Sequence, residues 1–158
     1  LFRSLVRAIA AREVRREYVA ITHGVVPAQP FEIDAPVGRD PQSRVRMAVT
    51  SQGREARTDV ERLATSGERA TAFSAVRCRL HTGRTHQIRV HLASRGYPLV
   101  ADAVYGGRPA LGLERQALHA LHLGFVHPAN VETMRFHAPP PDDFTNAWLQ
   151  VAGKPPPA

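Results

Sequence analysis

The sequence is poor in the residues that build disulfides, metal cages and membrane spans. Cys78 is its only cysteine, which excludes an internal disulfide and any metal site assembled from several cysteines, and suits a reducing compartment. No stretch approaches the roughly 20 consecutive apolar residues that cross a bilayer, so no membrane partner is expected. The opening residues, LFRSLVRAIAAREVRREY, lack an apolar core followed by a small-residue cleavage site, so secretion is not expected and the cytoplasm is. Lysine is nearly missing as well: of 21 basic residues all but Lys154 are arginine.

What is present is positive charge in a particular form. The net charge is +7, and guanidinium forks pair two-pronged with phosphate and stack on bases, which points to a polyanion, nucleic acid first. A proteome-wide swap of arginine for lysine would leave the same composition as ordinary surface charge, and composition alone keeps both readings open. Hydrophobic residues make up 43% of the 158 and are dispersed along the chain, as in one packed domain spanning residues 1–158 rather than a disordered segment.

Residues 1–13 read as an amphipathic helix with Leu1, Leu5, Val6 and Ile9 on one side, and 14–26 alternates as a strand. Pro27, Pro30 and Pro36 then punctuate the chain. Strand-like stretches run over 43–49, 56–63 and 72–80, separated by turns at Gly53 and Ser66-Gly67. In the last of these Val76, Cys78 and Leu80 face one way while Arg77 and Arg79 face the other, giving one buried and one basic side. A helix over 85–95 is stopped by Gly96 and Pro98. Residues 101–115 form a glycine-rich loop, 117–125 and 133–137 read as strands, and a helix runs over 142–151. There is no internal repeat. The turns are too short for regular parallel crossovers, so the expected class is α+β, a largely antiparallel mixed sheet with flanking helices.

The segment carrying the most chemistry is TGRTHQIRVHL at 82–92, where a strand ends, a glycine turn comes next and a helix opens. Arg89 lies beside the stripe of Ile88 and Leu92, where a guanidinium needs a carboxylate or phosphate partner. The bland alternative is a surface helix whose charges are merely solvated.

Read whole, the segment says more. TGRTHQIRVHL, then Gly96-Tyr-Pro-Leu, DAVYG at 102–106 and RQALHA at 115–120 closely resemble the motif series of the RNA pseudouridine synthases that modify large-subunit ribosomal RNA. REYVA at 16–20 with Gly24 resembles the family's strand of basic residue, any residue, tyrosine, any residue, alanine. APVGRD at 35–40, RMAV at 46–49, GREART at 53–58, His127-Pro128 and FHAPP at 136–140 agree in order and spacing. The resemblance spans about Val14 to Phe144.

The resemblance implies an enzyme that detaches uracil from its ribose, turns it over and rejoins it through carbon 5, with no cofactor and no metal. It implies a fold with a central RNA-binding cleft and 23S ribosomal RNA as partner. Tyr18 takes the position of the active-site tyrosine that packs on the flipped base and removes the carbon-5 proton. Arg89 takes that of the arginine paired with the catalytic aspartate. The base must leave the RNA stack to be reached, an aromatic face replaces the lost stacking, and an arginine keeps a buried carboxylate ionised. His86 and Gln87 are substrate-binding candidates expected to shape the turn and the pocket rather than exchange protons. Arg84, with Arg15, Arg16, Arg77, Arg79 and Arg108, is a candidate for phosphate contacts, each one separately also readable as a solvated charge.

One departure is large. The family's aspartate sits in His-Arg-Leu-Asp followed by Thr-Ser-Gly, and no residue here matches that motif, so the sequence is expected to begin just after it, without the first strands of the sheet. Asp102 lies in a family motif at a position that is structural there, and its preceding glycine is Ala101 here. Two readings remain: part of an active enzyme whose aspartate comes from elsewhere, or a non-catalytic RNA-binding module derived from the family. A third, a histidine metal enzyme using His119 and His122 with His86 and His91, fits no zinc template. A sheet lacking strands would also expose an edge open to pairing with another chain.

Overall fold

The computed structural model describes residues 2–10, 14–68 and 71–158. Helix α1 (Phe2–Ala10) precedes β1 (Arg15–His23), β2 (Phe31–Asp34), β3 (Val37–Arg39), β4 (Met47–Val49), β5 (Arg57–Ser66) and β6 (Phe73–Leu80). Helix α2 (Gln87–Ser94) and a 3-10 turn (Ala103–Tyr105) come next, then β7 (Leu118–Val126), β8 (Thr133–His137) and α3 (Asp142–Ala152). Six strands form one sheet in the order β2-β5-β6-β1-β7-β8, with every neighbouring pair antiparallel, and β3 and β4 make a separate ribbon. The α+β class stands as expected. Among the described residues no helix is long and apolar enough to cross a membrane.

The period-2 alternation of β1 divides the molecule. Val19 and Ile21 point to one face, where Ala75, Ala117 and Leu121 meet Phe144, Ala147, Trp148 and Val151 of α3. Tyr18 and Ala20 point to the other, where Val76 and Cys78 meet Ile88 and Leu92 of α2 and Leu99. A third cluster of Val37, Ala56, Val90 and Tyr105 lies where the β3-β4 ribbon meets α2. Both sheet faces are therefore core, and the central strand β1 carries buried side chains in both directions.

Several boundaries move for identifiable reasons. The stretch read as a strand over 43–49 shortens to Met47–Val49 because the chain first turns back on Asp40, whose carbonyl accepts the Ser43 N–H at 3.1 Å and whose carboxylate accepts the Gln42 N–H at 2.9 Å. Strands β2 and β3 are new, hidden in the sequence by Pro30 and Pro36; β2 is an edge strand, which tolerates flanking proline. Helix α2 starts late because His86 is left-handed, with φ 56°. Of the side expected to make α1 amphipathic, Val6 is exposed and Leu5 half-buried; Leu1 and residues 11–13 lie outside the described residues.

The expected basic side of β6 is corrected. Arg77 and Arg79 lie on the α3 face, opposite to Tyr18, and each meets acid across the strands: Arg79 Nε donates to Glu17 at 3.0 Å, and Arg77 Nη1 donates to Glu61 at 3.2 Å. Burial alone would raise the Glu17 pKa, but Arg79, His122 and Arg77 outweigh it and hold the carboxyl below its usual range. Cross-strand pairing of opposite charges has turned a nominal phosphate surface into an internally balanced one.

Candidate active site

The turn before α2 is held by a chain of buried hydrogen bonds. Gln87, 2% exposed, donates through Nε2 to the Arg57 carbonyl and to Thr58 Oγ1, and accepts through Oε1 from the Thr82 hydroxyl and the Arg84 N–H. All of its donors and acceptors are used. Gln87 thus builds the turn and is not free to touch a substrate, which corrects its place among the substrate-binding candidates. The chain continues into His91: its Nε2 lies 2.8 Å from the Ala35 carbonyl and must donate, so Nδ1 accepts from the Thr58 hydroxyl at 2.9 Å. Burial lowers the His91 pKa and keeps the ring neutral.

His86 opens the helix in a conformation unfavourable for a residue with a side chain. Tyr105 explains it. The Tyr105 hydroxyl accepts the Met47 N–H at 2.9 Å, so its own proton goes to His86 Nδ1 at 2.8 Å. His86 then carries its proton on Nε2 in the neutral form, which desolvation and the nearby Arg89 charge favour by lowering its pKa. In this arrangement it orients Tyr105.

Arg89 projects from α2 onto Asp102. Its Nε and Nη2 donate to Oδ2 and Oδ1, both at 2.8 Å, and its guanidinium lies 4.9 Å above the Tyr105 ring. The Asp102 side chain is 1% exposed and that of Arg89 12%, so the pair is shielded and far stronger than a surface ion pair. Hydrogen bonding to Asp102 raises the Arg89 pKa further. The place opposite Arg89 is therefore not vacant: this edge of the guanidinium is filled from within the chain. A guanidinium has five N–H groups and Asp102 takes two, leaving the Nη1 edge for a second anion.

The loop that presents Asp102 is tightly made. The Asp102 carbonyl accepts from Gly107 at 2.8 Å and from Tyr105 at 3.1 Å, and Ala101 donates to the Arg108 carbonyl at 2.9 Å. Gly107 has no room for a side chain, because the Leu99 carbonyl and the Asp102 amide occupy the space. Ala101 takes φ 58°, a left-handed position that favours glycine.

Tyr18 stands on the same sheet face as α2, half-buried against the cluster that includes Ile88. Arg16 is two residues earlier on that face. Arg84 is fixed by donation from Nε to the Glu55 carbonyl at 2.8 Å. Arg15 is exposed and alternates to the other face, with Glu17, while Arg108 is exposed on the Asp102 loop. The ten candidates thus separate: Tyr18, Arg16, Arg84, His86, Gln87 and Arg89 gather at the α2 side, Arg108 sits on the adjoining loop, and Arg15, Arg77 and Arg79 fall on the α3 face. Two surface grooves, one beside Phe31 and Arg77 and one beside Arg15, Phe125 and Phe136, include neither Tyr18 nor Arg89.

Asp102 as the partner of Arg89, and Tyr105 beneath it, are contacts of the candidate site that the motifs did not reveal. Their i, i+3 spacing in DAVYG was the available signal. The histidines of the metal reading are otherwise engaged: His119 Nε2 meets the Ala138 carbonyl at 2.8 Å and His122 meets Glu17. Among the described residues no three His, Cys, Asp or Glu side chains stand together as a metal ion would need.

Comparison with known proteins identifies the family. The profile of the RNA pseudouridylate synthase family matches residues 1–94. The chain is 50% identical over 150 residues to an uncharacterized RNA pseudouridine synthase of Chloroflexus aurantiacus, covering 94% of this chain and 46% of that protein. It is 43% identical over 153 residues to ribosomal large subunit pseudouridine synthase D of Xanthomonas campestris, covering 89% and 45%. Human RNA pseudouridylate synthase domain containing 1 superposes with a TM-score of 0.71 at 31% identity, covering 87% of this chain and 59% of that one. The chain spans about half the length of the curated relatives it matches. It belongs to the RNA pseudouridylate synthase family.

Proposed function

We propose that these residues form the tyrosine and arginine side of a site that isomerises uridine to pseudouridine in 23S ribosomal RNA, in the bacterial cytoplasm. The observation that carries the reading is the half-satisfied Arg89: Asp102 locks one edge of a shielded guanidinium, and the free Nη1 edge suits the catalytic carboxylate. That aspartate is supplied from outside these 158 residues. It attacks or assists at the sugar, Arg89 keeps it ionised, the detached uracil turns against the Tyr18 ring, and Tyr18 takes the carbon-5 proton after rejoining. Asp102 is a positioning residue, since it acts through Arg89. No cofactor or metal enters these steps.

The test compares the intact gene product with the 158-residue chain in an assay of pseudouridine formation on large-subunit RNA. Activity in the former and none in the latter is the expected outcome. An in-frame His-Arg-Leu-Asp upstream of Leu1 in the coding sequence would agree with it. RNA binding without isomerisation by the intact product would instead favour a non-catalytic module.

A further inference from the structure

Arg16 is a cation in the wrong surroundings. Its Nε and Nη2 are buried and have no hydrogen-bond partner, although arginines elsewhere on the sheet, such as Arg57 and Arg77, reach glutamates. Among the described residues no carboxylate stands within ion-pair distance of it. Burial pulls its pKa below the usual arginine value; the Tyr18 phenol partly offsets this, and the neighbouring Arg84 charge adds to it. A desolvated guanidinium without an anion is unfavourable, and a second guanidinium nearby makes it more so.

The chain is also shaped around this side chain. Arg16 Nη1 lies so close to Gly83 that a Cβ there would collide with it. Gly83 is exposed, and the room its missing side chain leaves is taken by the Arg16 guanidinium, which is thereby held at the turn that carries Arg84. Arg84 is held by the Glu55 carbonyl, and its backbone N–H by Gln87, so the second cation is oriented in advance.

We infer that Arg16 and Arg84 together bind one phosphodiester of the RNA at the Gly83 turn, fixing the backbone next to the nucleotide whose base reaches Tyr18. This rests on the proposed RNA substrate and assigns a particular subsite to it. A single anion shared by two guanidiniums removes their mutual repulsion and supplies acceptors for the unpaired nitrogens. Arg77 and Arg79, already matched by glutamates, have no such vacancy.

The experiment uses the intact gene product and a uridine-containing RNA hairpin, titrated over a range of salt, with thermal unfolding measured alongside and inorganic phosphate as a separate probe. Arg16→Met should raise the melting temperature by about 2 °C or more by removing a buried unpaired charge. It should weaken RNA binding about tenfold, the size of one charge-assisted contact, and flatten the salt dependence by about 0.7 in the log–log slope. Gly83→Ala keeps every charge but displaces the guanidinium, so it should weaken RNA binding while leaving the melting temperature near that of the parent. Inorganic phosphate should raise the melting temperature of the parent more than that of Arg16→Met. Arg79→Gln serves as the comparison and should leave all of these unchanged.

If Arg16→Met and Gly83→Ala bind RNA with parental affinity and slope, the subsite is refuted. A fall in melting temperature would then mean that a protein carboxylate, not RNA, completes Arg16, and a rise would mean that its charge stays unpaired without serving RNA. If the parent itself shows no salt-dependent RNA binding, the substrate reading fails first.

Discussion

Removing the Asp102 carboxylate tests the energetic core of the site. Asp102→Ala leaves the Arg89 guanidinium, its side chain 12% exposed, without the two acceptors at 2.8 Å. A hydrogen bond to a charged group contributes roughly 1.5–3 kcal/mol, and breaking a buried pair by deleting one partner costs about 3–5 kcal/mol because the other charge stays behind. Residual solvent at Arg89 places the expected loss near the low end, about 3 kcal/mol. Arg89→Met strands Asp102 and should cost a similar amount. The double variant, Arg89→Met with Asp102→Ala, leaves neither charge unpaired and should lose far less than the sum, giving a coupling of roughly 2 kcal/mol or more. Urea unfolding of all four proteins reads this out, with unchanged m-values required. Single losses below about 1 kcal/mol, or additive ones, would refute the view that this is a shielded, coupled pair.

The same structure sets three further outcomes. Ala101→Gly should stabilise the fold by about 1 kcal/mol, because a left-handed φ of 58° penalises a residue with a Cβ; chemical denaturation checks it. The Cys78 thiol, fully buried with its pKa pushed up to about 12, should not react with a thiol reagent in the native protein and should react once urea unfolds it. His91 is neutral in the fold with a lowered pKa, so the unfolded chain binds the extra proton first. Stability should therefore hold above about pH 6.5 and fall as pH drops below it towards the folded pKa, an effect that His91→Gln should diminish.

How much of the fold and site was legible in the sequence varies with the range of the interaction. Helix α3 and strands β6, β7 and β8 were readable because their apolar spacing is local and their ends carry turn residues. Strands β2 and β3 were not, since Pro30 and Pro36 look like punctuation and only the partner strands reveal the pairing. Arg89 was recognisable as a cation in need of an anion, but its partner was not, because Asp102 is brought to it by a loop closed through Gly107 and Ala101. The balance of charges on β6 was equally hidden: Arg77 and Arg79 read as a free basic side until the register sets Glu61 and Glu17 opposite them.

The most direct test of the central claim is a Tyr18→Phe and Arg89→Ala comparison in the intact gene product, tracking release of the carbon-5 proton from tritium-labelled uridine in large-subunit RNA. Tyr18→Phe should reduce the rate by at least about a hundredfold, as loss of a proton-transfer group does, while leaving RNA affinity within a few-fold of the parent. Arg89→Ala should reduce it by a similar factor by removing the charge that keeps the carboxylate ionised. Rates within a few-fold of the parent for both variants would contradict the assignment of Tyr18 and Arg89 to the reacting centre.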